Sequence, residues 1–277
     1  MELRGDGVTL HAHVEGPQDG PLVVFLHGVS SSADTYAWLP EPIAAGRRVV
    51  RLDLRGHGDS ERAPGTYTVE RHAADVVAVL EALGAAERPA VLVGHSLGGV
   101  VAWTVAQQRP DLLAGAFLED PPLYLGEPAE HETNGAVPIF RAMLDRAARW
   151  RSAGLDPDTA AREIAEPPLG PTLAPDAPRA RARALLTMDP GVLEGAIDGS
   201  TLAGTDTAAP VDVPVVLIAA DDAHGAAFAA RHEARLRDSH PGVEIVRVAG
   251  VGHGIHDDAV ARERYVEELT RFLERVA

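Results

Sequence analysis

A chain of 277 residues with average apolar content suits one large domain, or a core domain carrying an insertion. Its formal charge of −16 argues against nucleic acid or an anionic membrane surface as a main partner, since both require a basic footprint. Neither cysteine nor lysine occurs, which excludes disulfides, thiolate nucleophiles, cysteine-ligated metals, Schiff bases and Walker-type phosphate loops, and leaves hydroxyls, carboxylates and histidines for nucleophilic chemistry.

Short β-branched runs alternate with longer helix-period segments, the pattern of a mostly parallel sheet covered on both faces. Val8 to Val14 alternates like an edge strand or hairpin. Pro21 to Gly28 reads as a buried strand ending in a glycine turn, and Arg48 to Leu54 as the next, followed by the loop Arg55 to Ser60. Glu70 to Leu83 has an amphipathic helix period that ends at Gly84. Ala90 to Val93 runs directly into Gly94-His-Ser-Leu-Gly-Gly99, a helix follows to about Gln108, and Leu113 to Leu118 is a further strand.

From 121 to 210 the strand–helix rhythm lapses and proline and glycine become dense. Helices are expected at Ile139 to Trp150 and Asp158 to Ala165, the latter with Asp156 as N-cap and Pro157 at N1. Residues 121–210 therefore read as a helical cap inserted into a core made of 1–120 and 211–277. The rhythm resumes with the strand Val213 to Ile218, a helix from Gly225 to Arg237, the strand Val243 to Val248 and a helix from Ala259 to Val276.

Gly94-x-Ser96-x-Gly98 follows a buried strand and opens a helix, the context that a nucleophile elbow requires. The sharp turn lifts the serine hydroxyl above the sheet, and the flanking glycines let the chain pass close to its neighbours. The same turn sets the Leu97 backbone N–H at a helix N-terminus, where it can stabilise an oxyanion. A dinucleotide fingerprint is absent, because the glycines here are spaced G-x-x-x-G-G.

With His27-Gly28, Asp53-Leu-Arg-Gly-His-Gly-Asp-Ser60 and Gly252-His253-Gly254 added to the elbow, the chain resembles the α/β-hydrolase superfamily along essentially its whole length. The resemblance implies an eight-stranded, mostly parallel sheet with helices on both faces and a helical cap. It implies His253 as the base and the backbone N–H of Val29 as the second oxyanion donor. His95 is expected to flank the nucleophile and His27 and His57 to brace the site, with Ser30, Ser31 and Ser32 either adding a hydroxyl or capping the next helix. His11 and His13 are spaced like strand neighbours, and His256 lacks an evident third ligand, so no metal or other cofactor is expected.

The acid is contested. Many relatives carry it after the seventh strand, where Asp221 and Asp222 lie near the usual position but out of register, with the usual glycine missing. Others, haloalkane dehalogenases and zearalenone-type lactonases among them, carry it after the sixth, which falls here on Asp120. Aligning Pro110 and Gly115 with that pattern supports Asp120 over Glu119, and strand alternation lets only one of those two point inward.

Ser96, His253 and Asp120 together imply a serine hydrolase that cleaves a carboxylic ester or lactone of a small-to-medium hydrophobic molecule. A serine at the elbow departs from haloalkane dehalogenases and epoxide hydrolases, which use aspartate there. A carbon–carbon bond hydrolase of β-diketones and a non-catalytic small-molecule receptor share the fold. Leu123, Tyr124, Phe140, Met143, Leu144 and Trp150 are candidate pocket walls. A small molecule is the expected partner, with a homodimer left open. The first thirty residues lack a basic stretch followed by an apolar run, and no apolar run reaches the roughly twenty residues that span a bilayer, so a cytoplasmic location is expected.

Overall fold

A computed structural model describes residues 1–133, 135–166 and 172–276. In chain order the elements are β1 (Glu2–Arg4), β2 (Thr9–Glu15), β3 (Leu22–Leu26), α1 (Glu41–Ala44), β4 (Arg48–Leu52), α2 (Val69–Ala82), β5 (Ala90–His95), α3 (Leu97–Gln108) and β6 (Leu113–Glu119). Then follow α4 (Pro128–Glu132), α5 (Val137–Ser152), α6 (Pro157–Ile164), α7 (Ala177–Thr187), α8 (Pro190–Asp198), β7 (Val215–Ala219), α9 (Glu233–Ser239), β8 (Val243–Arg247) and α10 (Arg262–Val276). The strands form one eight-stranded sheet in the order β1-β2-β4-β3-β5-β6-β7-β8. Pairing is antiparallel at β1–β2 and β2–β4 and parallel everywhere else.

Successive strand residues serve opposite faces. Val24, Leu26, Leu92, Leu118 and Leu217 point to a core shared with α2 and α3, whereas Val23, Phe25, Val91, Val93, Phe117 and Ile218 point to one shared with α10. A sheet buried on both faces explains why these strands read as continuous apolar runs. Between β6 and β7 the described residues contribute five helices and no strand of the sheet. Asp156 caps α6 as expected, accepting the Asp158 and Thr159 amides at 3.0 Å each. No helix among the described residues is long and apolar enough to cross a membrane.

The helix expected from Gly225 to Arg237 is largely absent. Gly225 adopts φ +85° after a short 3-10 turn, and regular helix begins only at Glu233. The Ala227 and Phe228 amides that would enter such a helix instead donate to the Asp120 carboxylate. The strand β1 pairs with β2 as a short hairpin arm ahead of the expected edge strand.

Candidate active site

The parallel strands β3, β5, β6 and β7 end together, and the loops at those ends carry the chemistry-bearing side chains. Ser96 sits between β5 and α3 with φ 52° and ψ −117°, a conformation that costs a non-glycine residue on the order of 1–3 kcal/mol. It occupies the N-cap of α3, yet its hydroxyl makes no capping bond. The neighbouring glycines are obligatory: a Cβ at Gly94 would lie 2.2 Å from the Gly98 carbonyl oxygen, and one at Gly98 would lie 2.2 Å from that of Leu26.

His253 follows β8. Its Nδ1 is 2.7 Å from Asp120 Oδ2, so Nδ1–H donates to the carboxylate and Nε2 is left as an acceptor. Asp120 is fully buried, with φ 44°. Its Oδ2 also accepts the Ala227 amide at 2.7 Å, and its Oδ1 accepts those of Ala220 and Phe228, each at 3.2 Å. Burial pushes this carboxyl up, but the His253 bond and charge and the amide donors outweigh it and hold Asp120 below the ordinary carboxylate range.

The rival acids are engaged elsewhere. Asp221 accepts the Ala223 and Gly250 amides, and Asp222 binds the Ala230 amide and Arg247. Glu119 is as buried as Asp120, so the expectation that only one of the two points inward does not hold. The strand is covered on both faces, and the positive φ at Asp120 breaks the alternation at its end.

Glu119 makes a second carboxylate–imidazole pair that sequence reasoning missed. Its Oε2 lies 2.7 Å from His256 Nδ1, and its Oε1 accepts the His256 amide at 2.9 Å. Burial pushes Glu119 up and His256 down, but in each case the charges and hydrogen bonds outweigh burial, lowering Glu119 and raising His256. Both directions favour the charged forms, as in a buried ion pair. His256 Nε2 meets Thr35 Oγ1 at 2.9 Å, and Asp257 beside it accepts Arg181 Nε at 2.8 Å. His95 lies between His253 and His256, tilted to the first ring and edge-on to the second, with ring centroids 4.7 and 4.9 Å away, and its Nε2–H donates to the His253 carbonyl. Two consecutive acids ending a strand and a His-x-x-His pair were the available signal.

Val29 and Leu97 line the same cavity of about 660 Å³ as Ser96 and His253. Among the described residues neither the Val29 nor the Leu97 backbone N–H finds an acceptor. The Val29 loop is braced from behind. His27 Nδ1–H donates to the Gly28 carbonyl while its Nε2 accepts the Leu54 amide, and the His57 ring sits between the Val29 and Arg55 carbonyls, 2.8 and 2.9 Å away, with its one N–H in the neutral form donating to one of them. Asp53 accepts the Ala33 amide at 2.7 Å. Burial holds the His27 and His95 rings well below their ordinary range, in the neutral form. Ser30 and Ser31 face the cavity, whereas Ser32 is buried and caps nothing with its side chain.

Residues 23–268 match the model of the alpha/beta hydrolase family. The chain belongs to this family. Epoxide hydrolase B of Mycobacterium tuberculosis is 43% identical over 116 residues, covering 39% of this chain and 32% of that protein. A bifunctional esterase/perhydrolase of Acinetobacter calcoaceticus is 41% identical over 115 residues, 41% of each chain. Matches to these curated relatives thus span only about a third to two fifths of their length. A solved structure of an enzyme that degrades N-acyl homoserine lactones aligns over 98% of this chain and 99% of its own, with 25% identity and a TM-score of 0.71. The eight-stranded, mostly parallel sheet is this family's α/β-hydrolase fold.

Of the anticipated pocket walls, Phe140 and Met143 line the cavity. Leu123, Tyr124 and Trp150 are buried core, and Leu144 packs against that core. Two groups of histidine and carboxylate atoms cluster closely among the described residues, His95–Glu119–His256 and His11–Asp53–Asp59. In both, the central carboxylate is already committed to protein donors.

Proposed function

We propose that this hydrolase cleaves a carboxylic ester or lactone of a small-to-medium hydrophobic molecule through an acyl-enzyme intermediate. The observation that carries the reading is the 2.7 Å bond from His253 to the buried Asp120, in a site where Ser96 occupies a strained elbow on the same cavity. Asp120 fixes the His253 tautomer, so Nε2 takes the Ser96 proton as Ser96 attacks the carbonyl carbon. The Val29 and Leu97 amides receive the oxyanion. The protonated His253 then passes its proton to the leaving alkoxide, and water deacylates the enzyme by the same route in reverse.

Residues 121–210 act as the cap that supplies the apolar cavity wall, with 1–120 and 211–277 as the core. A hydroxyl at position 96, in place of the carboxylate that epoxide opening uses, supports acyl transfer. The kinship with an esterase/perhydrolase and the likeness to a lactone-degrading enzyme support the substrate class.

The test is proton release in a pH-stat across alkyl esters, aryl esters and lactones of several ring sizes. Turnover of apolar esters or lactones is expected, and the ranking separates esterase from lactonase. Silence on the whole panel with turnover of a β-diketone would replace the reading with carbon–carbon hydrolysis.

A further inference from the structure

The cavity wall built by α5 combines an apolar stripe with a charge that, among the described residues, has no carboxylate within ion-pair distance. Ile139, Phe140, Met143 and Arg146 face the cavity at helical spacing, a run of about 10 Å at 1.5 Å rise per residue. Three arginines line this cavity. Arg181 is tied to Asp257 and Arg231 to Glu130, whereas among the described residues Arg146 has no carboxylate within ion-pair distance. Its field reaches Glu163, but that carboxylate is held by Arg149 at 2.7 Å. Its recorded contact is with a ring: the guanidinium carbon lies 5.8 Å from the Trp150 centroid.

The acidic groups lining the cavity are all committed. Glu130 takes Arg231 and His232, Asp257 takes Arg181, and Asp258 accepts the Val260 and Ala261 amides in the turn before α10. In a chain of net charge −16, a cation left unanswered in an otherwise apolar wall marks where a ligand supplies the anion.

Resting on the hydrolase reading above, we propose that the substrate carries a free carboxylate at the end of an apolar segment. Arg146 binds that carboxylate while Ile139, Phe140 and Met143 hold the segment. Arg146 is then a specificity determinant on the wall of the cavity that Ser96 lines.

The test separates binding from turnover by titrating octanoate and octanamide, matched in length, into the Ser96→Ala protein. Octanoate should bind roughly 10–100-fold more tightly, the range expected for a charge-assisted hydrogen bond. Arg146→Met should abolish that preference while leaving octanamide binding unchanged, and Arg146→Lys should keep part of it. In the Ser96 protein, Arg146→Met should leave kcat on a neutral ester unaltered and raise KM only for an ester bearing a carboxylate. Equal binding of the two probes, or a preference that survives Arg146→Met, overturns the proposal even if esters are turned over. A carboxylate preference abolished by Arg146→Met, without turnover of any ester, upholds the subsite and refutes the hydrolase reading.

Discussion

Replacing Asp120 with asparagine should lower kcat by about 10³–10⁴, with KM little changed. Asparagine tolerates the positive φ of 44° at this position, so the backbone keeps its course. The chemistry does not survive. The Asp120 carboxylate accepts from four N–H groups, those of Ala220, Ala227, Phe228 and His253, and has no proton to donate. An amide can accept on one atom only, so its NH2 opposes a backbone N–H in either orientation, and on the Oδ2 side it also turns His253 into the wrong tautomer. In the proposed mechanism the imidazolium formed during attack also loses its countercharge. Steady-state rates of Asp120→Asn beside Asp222→Asn decide the assignment. A near-normal Asp120→Asn with an inactive Asp222→Asn would move the acid to the loop after β7.

The neighbouring carboxylate should behave in the opposite way. Glu119→Ala should destabilise the fold by about 3–5 kcal/mol, the range for stripping one partner from a buried ion pair. His256 and its backbone amide are both left without their acceptor in a fully buried site. Denaturant unfolding should show this loss most strongly within a defined pH window. Glu119, held below its ordinary 4.5, contributes stability that is present above that value and is lost as pH falls through its folded pKa. His256, held above its ordinary 6.5, contributes stability that is fully present below that value and is lost as pH rises through its folded pKa. The difference between wild type and Glu119→Ala should therefore be greatest between about 4.5 and 6.5. A difference that does not vary with pH would show that the pair is not ionised.

The contrast between these adjacent acids shows where sequence reasoning reached and where it stopped. The elbow was legible because its constraints are local: two glycines, a serine, a preceding strand and a following helix lie within one short run. Asp120 was legible only through its register after β6, because its four donors come from segments a hundred or more residues away. Glu119 stayed hidden for the same reason, since His256 is 137 residues distant and alternation assigned Glu119 to the outside of a strand that has no outside. The segment after β7 was misread as helix because its composition is helical while its amides serve a distant carboxylate. Trp150 reads as a pocket wall but is core, because spacing alone does not separate a helix's cavity face from its core face. Arg146 drew no attention in the sequence, since a charge on an amphipathic helix ordinarily faces water.

The most direct test of the central claim is to treat the protein with an alkyl fluorophosphonate and locate the adduct by mass spectrometry. One equivalent bound at Ser96, with ester turnover lost in step, is the result expected of an activated serine beside His253. Full ester turnover in fluorophosphonate-treated protein that carries no adduct at Ser96 would contradict it.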